Sequence, residues 1–357
     1  MKKYKVAIIG AGNGGQAMAG YLAMRGHQIS LYNRSLGKIS NIIKNGGVYL
    51  KGEIETFGLV SFVSDDLSKV VAGAEIIMIT TTADANGEIA ERLAPFLEEG
   101  QIIILNSGRT GGAFEVRKKF NDYGLDKKVY VVEAQTLVYA CRQQIPGVVE
   151  IFGIKDRVFC ASLPTKDLTV IIDKIRDLYG CFVPVDNVLV TSLENMGAIL
   201  HPALALFNAS LIERGDKFCF YNNMTPQVAS FIEKLDEERL LIGEAYGLKL
   251  QPVKDWVSFA YDGVLGEDLL SRVNNNPAYF KLQSPASINS RFFTEDIPAG
   301  ILPLLELGRI AGLKLPIMEA ILVFSENLLG LNFREKGRTL ENMGLAGLDV
   351  QDIIKLL

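Results

Sequence analysis

The chain has 357 residues and only two histidines, His27 and His201. His201 lies in ENMGAILHPALALFNASLIER, residues Glu194 to Arg214, an apolar stretch at helical spacing, and Pro202 follows it directly. Imidazole is the side chain whose ordinary pKa lets it give and take a proton near neutrality. Pro202 has no N–H for the carbonyl of Ala198 and pushes His201 away from helical angles. The helix is therefore expected to kink or restart at His201 and to present the ring at that irregularity. Asn208, further along the same helical face, is expected to point into the same cleft as a substrate contact. The alternative for His201 is a core histidine with its hydrogen bonds satisfied. His27, next to Gly26, reads as a turn residue without a chemical role.

A second group of residues suits phosphate. Lys5 to Ile9 is a short apolar run that leads straight into Gly10-Ala11-Gly12-Asn13-Gly14-Gly15. A helical pattern over Gln16 to Arg25 and a strand over Gln28 to Tyr32 follow. This strand–G-x-G-x-x-G–helix–strand order belongs to a dinucleotide site. Gly10 permits the tight turn, Gly12 lets the backbone approach a pyrophosphate, and Gly15 allows close helix–strand packing, while the helix N-terminus offers its amides. Asn13 and Gly14 lie within the same loop. At the end of the second strand an NAD site usually carries a carboxylate for the ribose hydroxyls. Here Asn33 is neutral, and Arg34 and Ser35 offer a cation and a hydroxyl that suit a 2′-phosphate. NADP is the expected cofactor, with NAD possible. Two more strand ends belong to the same reading, because ligands sit outside the carboxyl ends of strands in open α/β sheets. One is Thr80-Thr81-Thr82, where Thr81 is expected to face the cofactor. The other is Asn106 to Gly112, where Arg109 is expected to line the nicotinamide end or meet a substrate carboxylate, unless the segment is only a flexible loop.

The elements that must position these residues fall into two halves. Strand and helix patterns alternate through the first half, with strands over Glu75 to Thr80, Gln101 to Leu105, Val129 to Glu133, Val148 to Ile154, Arg157 to Ser162 and Phe182 to Val185. Val148 to Ser162 is expected to form a hairpin around Lys155-Asp156. The pattern implies an N-terminal α/β, doubly wound, Rossmann-type domain over 1–186. From Val188 the stripes are helical, over Ser192 to Arg214, Pro226 to Tyr246, Val253 to Tyr261, Ala299 to Ala311 and Pro316 to Leu329, which implies an all-α C-terminal domain over 187–357. Ser271 to Pro298, rich in Asn, Ser and Pro, reads as a long loop of the kind that often carries function.

Two motifs in the second half add a resemblance. Asn195 to Glu213, with His201-Pro202 and Asn208-Ala209, resembles the central helix of the opine dehydrogenase family. Arg291-Phe292-Phe293-Thr294-Glu295-Asp296-Ile297-Pro298 resembles that family's second-domain motif, and Gly10 to Gly15 fits its nucleotide loop. The likeness spans nearly the whole chain. It implies reductive joining of an amino acid to a 2-oxo acid such as pyruvate. It also implies His201 as general acid/base, Asp296 as its carboxylate partner and Arg291 as the oxo-acid contact. One departure follows Thr80, where Thr82-Ala83 and Asn86 stand in place of the Pro-Ala pair and histidine that members often carry. The chemistry agrees. Condensing an amine with a 2-oxo acid needs a proton delivered to the departing oxygen, a carboxylate can hold the imidazole tautomer, and a guanidinium fork suits a carboxylate.

Composition narrows the partners. Hydrophobic residues make up 48% and charged residues 22%, and the net charge is −4, so neither nucleic acid nor an anionic membrane surface is an expected partner. The four cysteines, Cys141, Cys160, Cys181 and Cys219, form no C-x-x-C pair, and a metal set lacks histidines. They read as reduced thiols in a cytoplasmic protein. The apolar run Met196 to Ile212, interrupted by His201, Pro202 and Asn208, reads as a buried helix rather than a membrane span. A homodimer is expected from the apolar second half. Two other readings stay open: a ketopantoate- or glycerol-phosphate-type reductase relying on a second-domain lysine, and a nicotinamide sensor without catalysis.

Overall fold

The computed structural model describes residues 2–357. Among the described residues, twelve strands form in the first half: β1 Lys5–Ile9, β2 Gln28–Tyr32, β3 Gly47–Gly52, β4 Thr56–Leu59, β5 Phe62–Ser64, β6 Ile76–Ile79, β7 Ile102–Asn106, β8 Tyr130–Ala134, β9 Tyr139–Ile145, β10 Val148–Ile154, β11 Val158–Leu163 and β12 Phe182–Pro184. The chain divides into two compact units. The first holds residues 2–81, 85–108 and 116–186, and the second holds 82–84, 109–115 and 187–357. Two short pieces of the first half thus belong to the helical unit.

In the first unit the main sheet runs β5-β2-β1-β6-β7-β8-β11-β12. The six strands from β5 to β8 pair in parallel. Their spatial order is that of two mononucleotide-binding halves wound outward from the seam between β1 and β6. β1, β6 and β7 are apolar almost throughout and buried on both faces, as central parallel strands must be. The helix Asn13–Met24 also packs on a small second sheet, β4-β3-β10-β9. That sheet corrects the expected hairpin. β10 pairs antiparallel with β9, while β11 pairs antiparallel with β8 in the main sheet. Lys155 marks the crossing between the two sheets. It is buried, with its backbone N–H donating to Val138 O at 2.9 Å and its Nζ to Leu137 O at 2.8 Å, so it is no solvated hairpin tip. Strand β9 carries Arg142-Gln143-Gln144 at an edge of the small sheet, which hid it from apolar periodicity. His27 lies in the turn between the helix Asn13–Met24 and β2, as expected, and it is buried. Its Nδ1 accepts from the Tyr4 N–H at 3.3 Å, and its ring stacks on that of Tyr4.

The second unit is helical. Its main helices are Val188–Leu193, Met196–Phe207, Ala209–Glu213, Pro226–Ala245, Val253–Ala260, Leu302–Ile310 and Pro316–Leu329. The helix carrying His201 does not break where expected. Pro202 sits inside a continuous helix, and the breaks fall at Glu194-Asn195 and at Asn208. Asn195 caps the restart by accepting from the Ala198 N–H at 3.3 Å. Pro202, in the interior of this helix, has no N–H to offer the Ala198 carbonyl. The stretch Val188–Phe207 is long and apolar enough to cross a membrane by composition, yet 89% of its 18-residue apolar window is buried inside the protein, the placement of a core helix. The segment expected to be one long loop holds the end of helix Leu269–Asn274, a turn at Pro277–Tyr279 and a short helix Arg291–Thr294.

Candidate active site

The glycine loop has the shape of a phosphate cradle. Gly10 has φ +108, and a Cβ there would lie 3.1 Å from the Thr81 backbone nitrogen, so the turn after β1 needs glycine for both conformation and space. A Cβ on Gly15 would lie 1.7 Å from Gly10 O, which makes Gly15 a packing requirement of helix on strand. Gly14 would push against Leu137 at 2.9 Å. Gly12 differs: a Cβ there would meet nothing within 4 Å. The fold does not need glycine at that exposed position, whereas a diphosphate pressed against the backbone would. No side chain caps the helix Asn13–Met24, so its first amides keep the positive end of the helix open to an anion. These features fit a dinucleotide.

The other residues expected around the cofactor have distinct surroundings. Asn13 Oδ1 accepts from Gln143 N at 2.9 Å, which ties the loop to β9. Asn33 Oδ1 accepts from the Ala11 N–H at 3.1 Å and its Nδ2 donates to Ser35 O at 3.1 Å, so Asn33 braces the loop from the end of β2. Arg34 and Ser35 are exposed beside it. Thr81 Oγ1 is buried and has no hydrogen-bond partner, and the same holds for both polar atoms of the Asn86 carboxamide.

The second unit brings His201 and Asp296 together. His201 Nδ1 lies 2.7 Å from Asp296 Oδ2, and His201 Nε2 lies 2.7 Å from the Tyr221 hydroxyl. Asp296 is fully buried at the start of a widened turn. Its N–H bonds to Arg291 O and its own carbonyl accepts from the Ile301 N–H, both i→i+5 contacts of the kind often found at functional positions. Pro298 has no N–H to hold this stretch to regular spacing. The other oxygen of Asp296 faces Arg109, whose Nη2 lies 3.2 Å away in an ion pair. Arg109 Nε also lies 3.4 Å from Glu295 Oε1, and its Nη1 donates to Asn195 Oδ1 at 3.3 Å.

The charges follow from this geometry. Burial works against the Arg109 cation, and Asp296 and Glu295 more than compensate, holding its pKa above the ordinary value. Burial pushes Asp296 up, but Arg109 foremost, then His201 and Arg291, bring it below the usual carboxylate range, so it is ionised. Burial lowers His201, and the pull of Asp296 upward does not restore it, so the ring is neutral at pH 7. A neutral ring beside a carboxylate carries its proton on Nδ1, which donates to Asp296. Nε2 is then the acceptor, and the Tyr221 hydroxyl donates to it.

Arg109 and Asn208 already have partners within the protein. The Arg109 guanidinium is buried and committed to Asp296, Glu295 and Asn195, so it holds the carboxylate instead of waiting for a substrate. Among the described residues it is the one non-glycine with positive φ, 58°, a backbone position that must be enforced by its surroundings. Asn208 sits at the end of its helix, donating to Leu204 O and accepting from Asn223 Nδ2, with its carboxamide already engaged. Arg291 is exposed, has no carboxylate partner among the described residues, and stands with its guanidinium carbon 5.9 Å from the Phe292 ring centre. Phe292 in turn packs 4.6 Å from the His201 ring.

Sequence reasoning passed over Tyr221, Asn195 and Gly197. A Cβ on Gly197 would lie 2.0 Å from Arg109 Nη1, so this glycine makes room for the cation. Its place one helical turn before His201 was a signal that could have been read. Tyr221, in FCFYNN, lies in no periodic pattern and gave none.

Both parts of the chain match known protein families. Residues 184–329 match the alpha-helical domain of the NAD/NADP octopine/nopaline dehydrogenases, and residues 5–123 match the NAD binding domain of 6-phosphogluconate dehydrogenase. The opine dehydrogenase of Arthrobacter sp. (strain 1C) is 35% identical over 349 residues, 97% of this chain and 97% of that one. Octopine dehydrogenase solved with NADH and L-arginine is 18% identical and has the same fold, with a TM-score of 0.79 over 98% of each chain. Yersinopine dehydrogenase with NADP+ bound, 15% identical, gives a TM-score of 0.75 over 99% of this chain and 97% of that one. With a cradle for a nicotinamide dinucleotide in one unit and a buried His–Asp–Arg chain in the other, the protein belongs to the opine dehydrogenases, NAD(P)-dependent oxidoreductases.

Proposed function

We propose that the protein reductively condenses an L-amino acid with a 2-oxo acid of pyruvate type to a secondary-amine dicarboxylate, with His201 as the acid/base group. The observation that carries this reading is the chain Arg109–Asp296–His201, with separations of 3.2 and 2.7 Å, beside the exposed Arg291. Arg109 keeps Asp296 ionised, and Asp296 keeps the His201 proton on Nδ1. A neutral His201 removes a proton from the incoming ammonium group. The freed amine attacks the keto carbon, the C–N bond forms as the C=O π bond opens, and a proton passes from the nitrogen to the oxygen to give a carbinolamine. The stored proton then goes to the carbinolamine hydroxyl, the C–O bond breaks as the nitrogen lone pair forms the C=N bond, water leaves and a protonated imine remains. The nicotinamide, when bound, supplies the hydride that reduces the imine carbon. Arg291 offers its planar fork to the carboxylate of the oxo acid. NADPH is favoured as reductant, because Asn33, Arg34 and Ser35 provide no carboxylate to repel a 2′-phosphate.

The test is NADPH oxidation followed by absorbance with pyruvate and a panel of amino acids, repeated with NADH. Turnover is expected to require both carbon substrates, and His201→Ala is expected to lose about 100-fold or more of it while binding NADPH normally. Oxidation by the oxo acid alone, or no oxidation with any pair, overturns the reading.

A further inference from the structure

We propose that the Tyr221 hydroxyl is a proton relay, placed between His201 and the reacting oxygen, so that the histidine exchanges protons with substrate through the tyrosine. The inference rests on the proposed role of His201 and deepens it.

Both ring nitrogens of His201 are occupied. Nδ1 is held by Asp296 at 2.7 Å and Nε2 by the Tyr221 hydroxyl at 2.7 Å. The nitrogen that must do the chemistry therefore faces a phenol. The flanks of the ring are closed by aromatic neighbours, Phe292 at 4.6 Å between ring centres and Phe220 at 6.5 Å. Tyr221 is itself fixed, because its ring stacks on Tyr279 at 4.1 Å and 16° between planes, and Tyr279 is braced edge-on by Tyr261. A hydroxyl held this firmly is positioned for transfer and not merely drifting across the site. Burial raises the Tyr221 phenol well above its ordinary value. It therefore passes protons on rather than storing them, and the storage site remains the His201–Asp296 pair.

The transfer balances without any further reagent. In carbinolamine breakdown the Tyr221 O–H proton goes to the departing hydroxyl oxygen. The imidazolium Nε2–H proton moves to the Tyr221 oxygen in the same step. The C–O bond breaks, water leaves, and the nitrogen lone pair forms the C=N bond. Deprotonation of the incoming ammonium runs the relay in reverse: Tyr221 takes that proton as its own moves to Nε2.

Tyr221→Phe keeps the ring and its stacking while removing the relay. Two readouts are needed. The first requires no turnover: with only two histidines in the chain, 15N-histidine labelling gives two imidazoles to follow. The His201 Nε2 resonance is expected to move to the position of an unbonded imine nitrogen in the variant. An unmoved resonance overturns the proposal. The second is single-turnover NADPH oxidation in H2O/D2O mixtures. The unsubstituted enzyme is expected to give a curved dependence from two protons in flight. Tyr221→Phe is expected to be about 100-fold slower with a linear dependence and an unchanged KM for NADPH. A linear dependence in the unsubstituted enzyme, a variant within threefold of its rate, or a slowed variant that keeps the curvature would each overturn the relay. An unsubstituted enzyme inactive with every amine and oxo-acid pair instead defeats the proposed reaction, which separates the two failures.

Discussion

Asp296 uses its two oxygens for different tasks: one orients His201 and the other accepts the charge of Arg109. The pH behaviour follows from this division. In the proposed reaction His201 must be neutral to take the ammonium proton, and burial holds its pKa below the ordinary 6.5. The acid limb of kcat/KM for the amino acid is therefore expected below pH 6.5, with a plateau above it. Asp296→Asn removes the charge that pulls His201 upward, so the limb moves to still lower pH. The plateau is expected to fall about 100-fold or more, because the imidazolium formed during turnover loses its counter-ion. A pH–rate profile of the two proteins checks both statements, and a limb that shifts upward in the variant contradicts the assignment.

At the scale of elements, the glycine loop makes two kinds of demand that substitution can separate. Gly15→Ala forces a Cβ onto Gly10 O and is expected to destabilise the first unit by about 1–3 kcal/mol, as overpacking does. Gly12→Ala meets nothing in the fold and is expected to leave stability within about 0.5 kcal/mol while weakening NADPH binding. Thermal melts alongside a fluorescence titration distinguish the two, and an unchanged Kd for Gly12→Ala would mean that the diphosphate lies elsewhere. This loop was legible in the sequence because its chemistry is local: strand, turn and helix start follow one another within a few residues. Strand β9 was not, since its polar Arg142 to Gln144 segment carries no apolar alternation. The break in the His201 helix was misplaced for a related reason. Proline is a visible helix breaker, but the cap that decided the restart is Asn195, whose carboxamide also holds Arg109 and Thr110. Such a residue acts through partners distant in sequence, and local pattern does not announce them. Arg109 stands out in the sequence as a cation, but its partners Asp296, Glu295 and Asn195 are likewise distant in sequence.

In the whole molecule the helical unit is not a contiguous piece of chain. Arg338, buried in it, donates to Glu115 Oε2, Thr110 O and Ala83 O, all from the two short segments of the first half. Stranding that cation without Glu115 would cost about 3–5 kcal/mol. Residues 187–357 expressed alone also lack Arg109, leaving buried Asp296 without the cation that pairs with it. That fragment is expected to show no cooperative thermal transition by circular dichroism, and a sharp melt would refute the dependence. The same interleaving governs how family members can be recombined. A chimaera joined once near residue 186 takes Arg338 from one parent and Ala83, Thr110 and Glu115 from another, and likewise splits Arg109 from Asp296. Under the proposed role of His201, the inheritable module of acid/base chemistry is residues 187–357 together with 82–84 and 109–115, so exchanges of cofactor preference between relatives need crossovers that leave those two short segments with the helices.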